Sequence, residues 1–194
     1  MMDTFQIFGL QVLLSLVGYA LIAKWYVVPR LAALPLHDAL IPLIFPHAFR
    51  HVGMVFLVPA VVAPTLPPAF ALPAAYGDLF TALLALLALL ALRSRWPLAP
   101  SVTWLFNVVG TLDLVYAFIQ GTRLDATAHM GSAWYIPTFL VPALFVTHFL
   151  HGNPTSSYLL AQYHSSRGFS GPMDCPGPDR HRQIRQARDR VPVL

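Results

Sequence analysis

The chain has 194 residues, 57% of them hydrophobic and only 10% charged, with a formal net charge of +4. Soluble domains carry about 25% charged residues, so this composition, with a mean hydropathy of +0.62, excludes a water-soluble globular fold. Glutamate is absent, the lone cysteine (Cys175) excludes a disulfide framework or a cysteine-based zinc site, and six arginines after residue 160 supply most of the charge.

In lipid every backbone amide must be satisfied within its own segment. Apolar runs near 20 residues without period-2 alternation therefore predict helices, not barrel strands. Five such runs are present: residues 5–28, 39–62, 76–92, 96–120 and 132–151. The expected fold is an all-α membrane protein, a bundle of five transmembrane helices over residues 1–152. Residues 153–194 read as a basic, disordered cytoplasmic tail.

In the first run Gln11, Ser15 and Tyr19 recur at i, i+4 and i+8, one face suited to helix–helix hydrogen bonds. Trp25 and Tyr26 form an interface belt, with Lys24 and Arg30 as anchors. The run is too long for a secretory leader and has no basic residue before it.

The second run carries Pro46-His47-Ala48-Phe49-Arg50-His51 and prolines at 42, 46 and 59, which predict a kinked or broken helix. An arginine near mid-membrane costs roughly 2.5–3.5 kcal/mol on insertion scales, so Arg50 is expected to face inward. Residues 63–75, Pro-rich and uncharged, read as a loop or shallow re-entrant piece. The third run holds a Leu/Ala stripe, Thr81 to Leu92, expected to face lipid, with Asp78 near its start. In the fourth, Asn107, Gly110, Asp113 and Tyr116 lie three apart and read as one face. The fifth opens on Trp134-Tyr135, carries Pro137 and Pro142, and ends on His148 and His151, read as solvated interface residues.

Basic residues orient the bundle. Lys24, Arg30, Arg93, Arg95 and the arginines of the tail all fall on one side, which predicts N-out, C-in. The tail segment 180–190 has the composition of a surface helix for anionic lipid or of a topology anchor; a nucleic-acid partner is not expected.

Depth follows from rise, about 1.5 Å per residue. From the cytoplasmic ends, His47, Arg50 and His51 come to roughly 12, 16 and 18 Å, Asn107 to roughly 15 Å and Asp113 to roughly 24 Å. Asp78 enters from outside and ends near Asp113. An Arg50–carboxylate pair makes both charges tolerable. His47 and His51, four apart, share a helical face, yet only Asp113 or Asp78 is available to complete a metal set. His148, roughly 4–5 Å from the cytoplasmic end, lies too low to pair with His47 across a haem. No metal and no cofactor is therefore expected.

Two resemblances rest on specific runs. His47-Ala-Phe-Arg-His-Val-Gly-Met-Val-Phe56 and Trp134-Tyr-Ile-Pro-Thr-Phe139 resemble an uncharacterised group of small bacterial multi-pass proteins, over about residues 1–150. The five-crossing layout, with Gly110-Thr-Leu-Asp113-Leu-Val-Tyr116 and the aromatic segment Trp134 to Pro142, is similar to the emopamil-binding/EXPERA class. That likeness implies a pocket histidine at His47 or His51 and a polar residue at Asp113. Those isomerases shuttle protons through glutamates, which this chain lacks.

The function expected from these features is binding of a small hydrophobic or lipid-like molecule in an intramembrane polar pocket. Its lining would be His47, Arg50, His51, Asn107, Asp113, Tyr116 and Trp134, in a bacterial inner membrane with lipids as partners. The alternatives are an EXPERA-like isomerase using Asp113 and His47, and a structural subunit holding a buried ion pair.

Overall fold

A computed structural model describes residues 2–152. The tail segment, its candidate surface helix and Cys175 lie outside the described residues. Among the described residues, five helices are long and apolar enough to cross a membrane: α1 (Thr4–Leu31), α2 (Leu36–Leu57), α3 (Pro68–Arg93), α4 (Ala99–Arg123) and α5 (Gly131–Leu150). The chain is a multi-pass helical membrane protein.

At one end of the bundle Arg95 Nη2, after α3, lies 3.9 Å from Asp38 Oδ2 at the start of α2. At the other, the α2–α3 and α4–α5 connections are tied by Ala63 N donating to His129 O (3.0 Å) and Ser132 N donating to Val61 O (3.0 Å). The exposed Lys24, Arg30, Arg93 and Arg95 therefore belong to a single end of the up-and-down bundle.

Helix α1 begins with a capping box, in which the Asp3 side chain accepts from Gln6 N while the Gln6 side chain accepts from Asp3 N. It passes through a π-turn at Ala23–Val27 and has no buried residue before Ala23. Its contact with α5 runs through the expected face. Trp134 Nε1 donates to Gln11 Oε1 at 2.6 Å, and Tyr19 meets Phe139 edge-on at 5.5 Å between centroids.

Helix α2 changes type at its prolines. Residues Leu36–Ile44 are α-helical, with Pro42 inside, and Phe45–Leu57 form a 3-10 helix with Pro46 in its first turn. Proline at 46 removes an amide donor that the α-helical ladder would use. A 3-10 helix repeats every 3.0 residues, so i and i+3 eclipse. His47, Arg50, Gly53 and Phe56 thus share one face, and all four are buried. His51, four residues from His47, is carried off that face and is exposed; its Nδ1 lies 3.0 Å from Ala48 O. The shared His47/His51 face expected from α-helical spacing is corrected by this change of coil.

Helix α3 packs against both parts of α2 and against α4. It begins at Pro68 and includes Pro73, so the second half of the segment read as a loop or re-entrant piece is helix. Asp78 consequently stands at the eleventh residue of α3, well inside. The Leu/Ala stripe is two-faced: Ala82, Ala85, Ala88 and Ala91 are buried, while Leu83, Leu86, Leu87 and Leu90 are exposed. Between apolar surfaces in lipid, packing rather than water exclusion drives association, and small residues let backbones approach. The side of the stripe that carries Leu83, Leu86, Leu87 and Leu90 is the exposed one.

One core cluster, with Phe56, Phe70, Ala74 and Met130, occupies the end of the bundle that holds the α2–α3 and α4–α5 connections. A second, with Ile44, Ala85, Ala88, Leu92 and Phe106, lies toward the basic end. Arg50 sits in the sequence interval between them on α2, as Asp78 does on α3.

Candidate functional site

Arg50 is 2% exposed, and each of its three nitrogens donates to a protein oxygen. Its Nε donates to Asp78 Oδ1 at 2.7 Å, its Nη1 to Gly110 O at 3.3 Å, and its Nη2 to Asp113 Oδ2. One cation from α2 is held between carboxylates from α3 and α4, both largely buried. The expected Arg50–carboxylate contact is present, with both candidate acids used. The wider rise of the 3-10 coil, about 2.0 Å per residue, lifts Arg50 toward the Asp113 level, a shift that α-helical counting misses.

Three glycines make room for this cluster. A Cβ on Gly53 would collide with the Asp78 carboxyl group, and one on Gly77 with that of Asp113. A Cβ on Gly110 would lie 3.1 Å from Thr81 Cγ2 and 3.2 Å from His148 Cε1. Each helix of the α2–α3–α4 core thus contributes one glycine where a carboxylate, a hydroxyl-bearing side chain or an imidazole crosses close to the backbone.

On the Gly110 side lies a histidine pair. His47 (0% exposed) and His148 (8%) stand with ring centroids 5.2 Å apart, and Phe106 packs edge-on against both. His47 Nε2 lies 3.2 Å from Thr147 Oγ1. That hydroxyl donates to the carbonyl of Ala143 or Leu144, so its oxygen is left to accept from His47 Nε2–H. His148 Nε2 lies 2.6 Å from Thr111 Oγ1 and 3.1 Å from Asn107 O, and the Thr111 hydroxyl donates to Asn107 O at 2.7 Å. The same reasoning assigns the His148 proton to Nε2. The expectation that His148 is a solvated interface residue, too low to meet His47, is overturned. Helix α5 crosses the bundle against the α-helical part of α2 as well as α4, so counting residues from its end underestimates where His148 sits.

His47, Arg50, Asn107 and Asp113 are therefore brought into one neighbourhood, joined by Asp78, Thr111, Thr147, Phe106 and His148. His51, Tyr116 and Trp134 stand apart from it. Tyr116 is 42% exposed, because steps of three on an α-helix drift by about 60° each; three steps from Asn107 lead to the opposite side. Trp134 serves the α1–α5 contact instead. Thr111 is the omission the sequence could have supplied, since it lies at i+4 from Asn107.

Beside the histidine pair the surface opens into a groove of about 910 Å³ between α1, α4 and α5. Val12 and Leu16 of α1 form one wall, and the apolar lining includes Trp104, Val108, Val115, Phe118, Phe145 and Phe149. Its polar positions are Asn107, Thr111 and His148. The volume lies within the range of small-molecule sites, about 300–1,000 Å³.

Among the described residues, fold and site define a multi-pass helical membrane protein built around a buried Arg–Asp–Asp cluster, with an open groove beside it. Residues 7–151 match the domain of unknown function DUF8737, and the chain belongs to that family. No curated protein and no solved structure matches the chain, so nothing in these comparisons supports the likeness to the emopamil-binding/EXPERA class.

Proposed function

We propose that this protein binds a small hydrophobic or lipid-like molecule within the membrane, at the groove between α1, α4 and α5. The observation that carries this reading is a cavity of about 910 Å³ that is apolar along its length and reaches Asn107, Thr111 and His148. The Arg50 cluster lies behind that polar end and supports it. Arg50 donates to Gly110 O, one turn from Asn107, and each of its three nitrogens already has a protein acceptor.

In this reading the Arg50–Asp78–Asp113 set is scaffold, and the ligand meets Asn107 and the ring edge of His148 instead. His47 acts as a wall behind His148. The protein resides in a bacterial inner membrane, N-terminus outside and C-terminus in the cytoplasm, with its basic ends on the cytoplasmic face. The irregular second helix acts as the kinked element around which the others close.

Native mass spectrometry of the detergent-purified protein tests this directly. The expected result is a stoichiometric lipid-sized adduct that is lost on Val108→Trp, which fills the groove, while thermal stability is kept. A bare protein, or an adduct indifferent to Val108→Trp, would refute the site.

A further inference from the structure

We infer that the groove takes an uncharged, single-headed amphiphile whose head carries one oxygen, an alcohol or a carbonyl, held at Asn107 with its chain running toward Phe118. This rests on the binding reading above and adds the ligand's chemical class and its direction.

The charge argument comes first. None of the 15 residues lining the groove is Asp, Glu, Lys or Arg. The nearby cation is 2% exposed, and its Nε, Nη1 and Nη2 are taken by Asp78, Gly110 O and Asp113. Those carboxylates are in turn engaged by Arg50, so an ammonium head finds no carboxylate in the groove lining either. A carboxylate, phosphate or ammonium head would be buried without a counter-charge, which costs several kcal/mol in a low-dielectric site. An uncharged head needs only hydrogen bonds.

The Asn107 side-chain amide offers both a donor and an acceptor, one turn from the indole N–H of Trp104 in the same lining. Asn107 Oδ1 is buried and makes no hydrogen bond among the described residues. The amide also carries two N–H donors. A ligand carbonyl accepts from the N–H; a ligand hydroxyl does so too and can donate to Oδ1 when the amide turns. Thr111 and His148 are already bonded to each other and to Asn107 O, so they fix the shape of the polar end and leave the side-chain amide to the ligand.

The polar atoms lie in one half of the groove. On α4, Trp104 stands one turn to one side of Asn107, and on the other Asn107 and Thr111 are followed by Leu112, Leu114, Val115 and Phe118; from Asn107 to Phe118 is about 16 Å. On the antiparallel α5, His148 and Phe149 stand at the polar end, with Phe145, Pro142 and Val141 leading away. A head at Asn107 therefore places an extended chain along apolar surface on three helices.

The test uses the full chain in detergent and probes that share one chain length: hexadecanol, a matched methyl ketone, palmitate, hexadecyl phosphate, hexadecylamine and hexadecane. The alcohol or the ketone should bind at least tenfold tighter than each charged probe, and their ranking identifies the head. Asn107→Leu should reduce that head to the affinity of hexadecane, whose own binding is unchanged; Asn107→Ala serves if leucine disturbs folding. Fluorescence lost on Trp104→Phe should be quenched by bromine beside the head and not by bromine at the chain end. A charged probe that binds equally well, a preference that survives both Asn107 variants, or quenching from the chain end would overturn the inference while leaving the groove. Binding of none of the six, hexadecane included, would remove the groove reading itself.

Discussion

Replacing Arg50 by methionine keeps most of the side-chain volume and removes the cation between Asp78 and Asp113. Two charge-assisted hydrogen bonds are lost, roughly 1.5–3 kcal/mol each, and two largely buried carboxylates are left facing one another. Breaking a buried ion pair from one side costs about 3–5 kcal/mol, so the two routes agree on a loss of roughly 3–5 kcal/mol. Removing the whole set is a different perturbation, because neutral replacement of a buried charge network is often tolerated. Arg50→Met combined with Asp78→Asn and Asp113→Asn should therefore be more stable than Arg50→Met alone, recovering at least half of the loss. Unfolding in mixed micelles, followed by circular dichroism as denaturing detergent is titrated in, measures both variants. A single variant that loses less than about 1 kcal/mol, or a triple variant less stable than the single, would refute the view of the cluster as charge-balanced scaffold.

Gly53→Ala and Gly77→Ala place a methyl against the Asp78 and Asp113 carboxyl groups and should each destabilise by about 1–3 kcal/mol. Gly9→Ala and Gly18→Ala in α1 meet nothing within 4 Å; they should leave stability unchanged or raise it by up to about 1 kcal/mol. His47→Ala should cost about 2 kcal/mol or more, since it empties a fully buried site against Phe106 and His148, whereas His51→Ala should stay within about 0.5 kcal/mol; thermal unfolding separates them. Trp134→Phe removes the donor to Gln11 and should loosen α1, read as faster amide exchange or proteolysis of residues before Ala23.

Five helices of membrane-spanning length, the inward Arg50 and its carboxylate partners are legible in the sequence, because lipid makes each charged residue within an apolar run conspicuous. Spacing rules fared unevenly, for a physical reason. Steps of three suggest a shared face on α4, but that helix turns 100° per residue and Tyr116 drifts away. The same steps do define a face on α2, where the coil is 3-10 and His47, Arg50, Gly53 and Phe56 align. No residue in that stretch announces thirteen residues of 3-10 helix; Pro46 marks only its beginning. The start of α3 was hidden by Pro67, Pro68 and Pro73, which look like loop punctuation although proline suits a first helical turn. His148 was misplaced because depth by counting takes no account of how a helix crosses its neighbours.

The coil type of α2 also sets how far the chain reaches. Nine α-helical residues at about 1.5 Å and thirteen 3-10 residues at about 2.0 Å extend roughly 39 Å. Helix α3, with 26 residues, covers about 39 Å at the α-helical rise. The 22 residues of α2 therefore match the length of a neighbour four residues longer. Rewinding the 3-10 part as α-helix would shorten it by about 6 Å, pull one end of the bundle inward, and break the alignment of its three-residue rows. The reach of α2 along the bundle and the seating of Arg50 thus follow from a single winding choice.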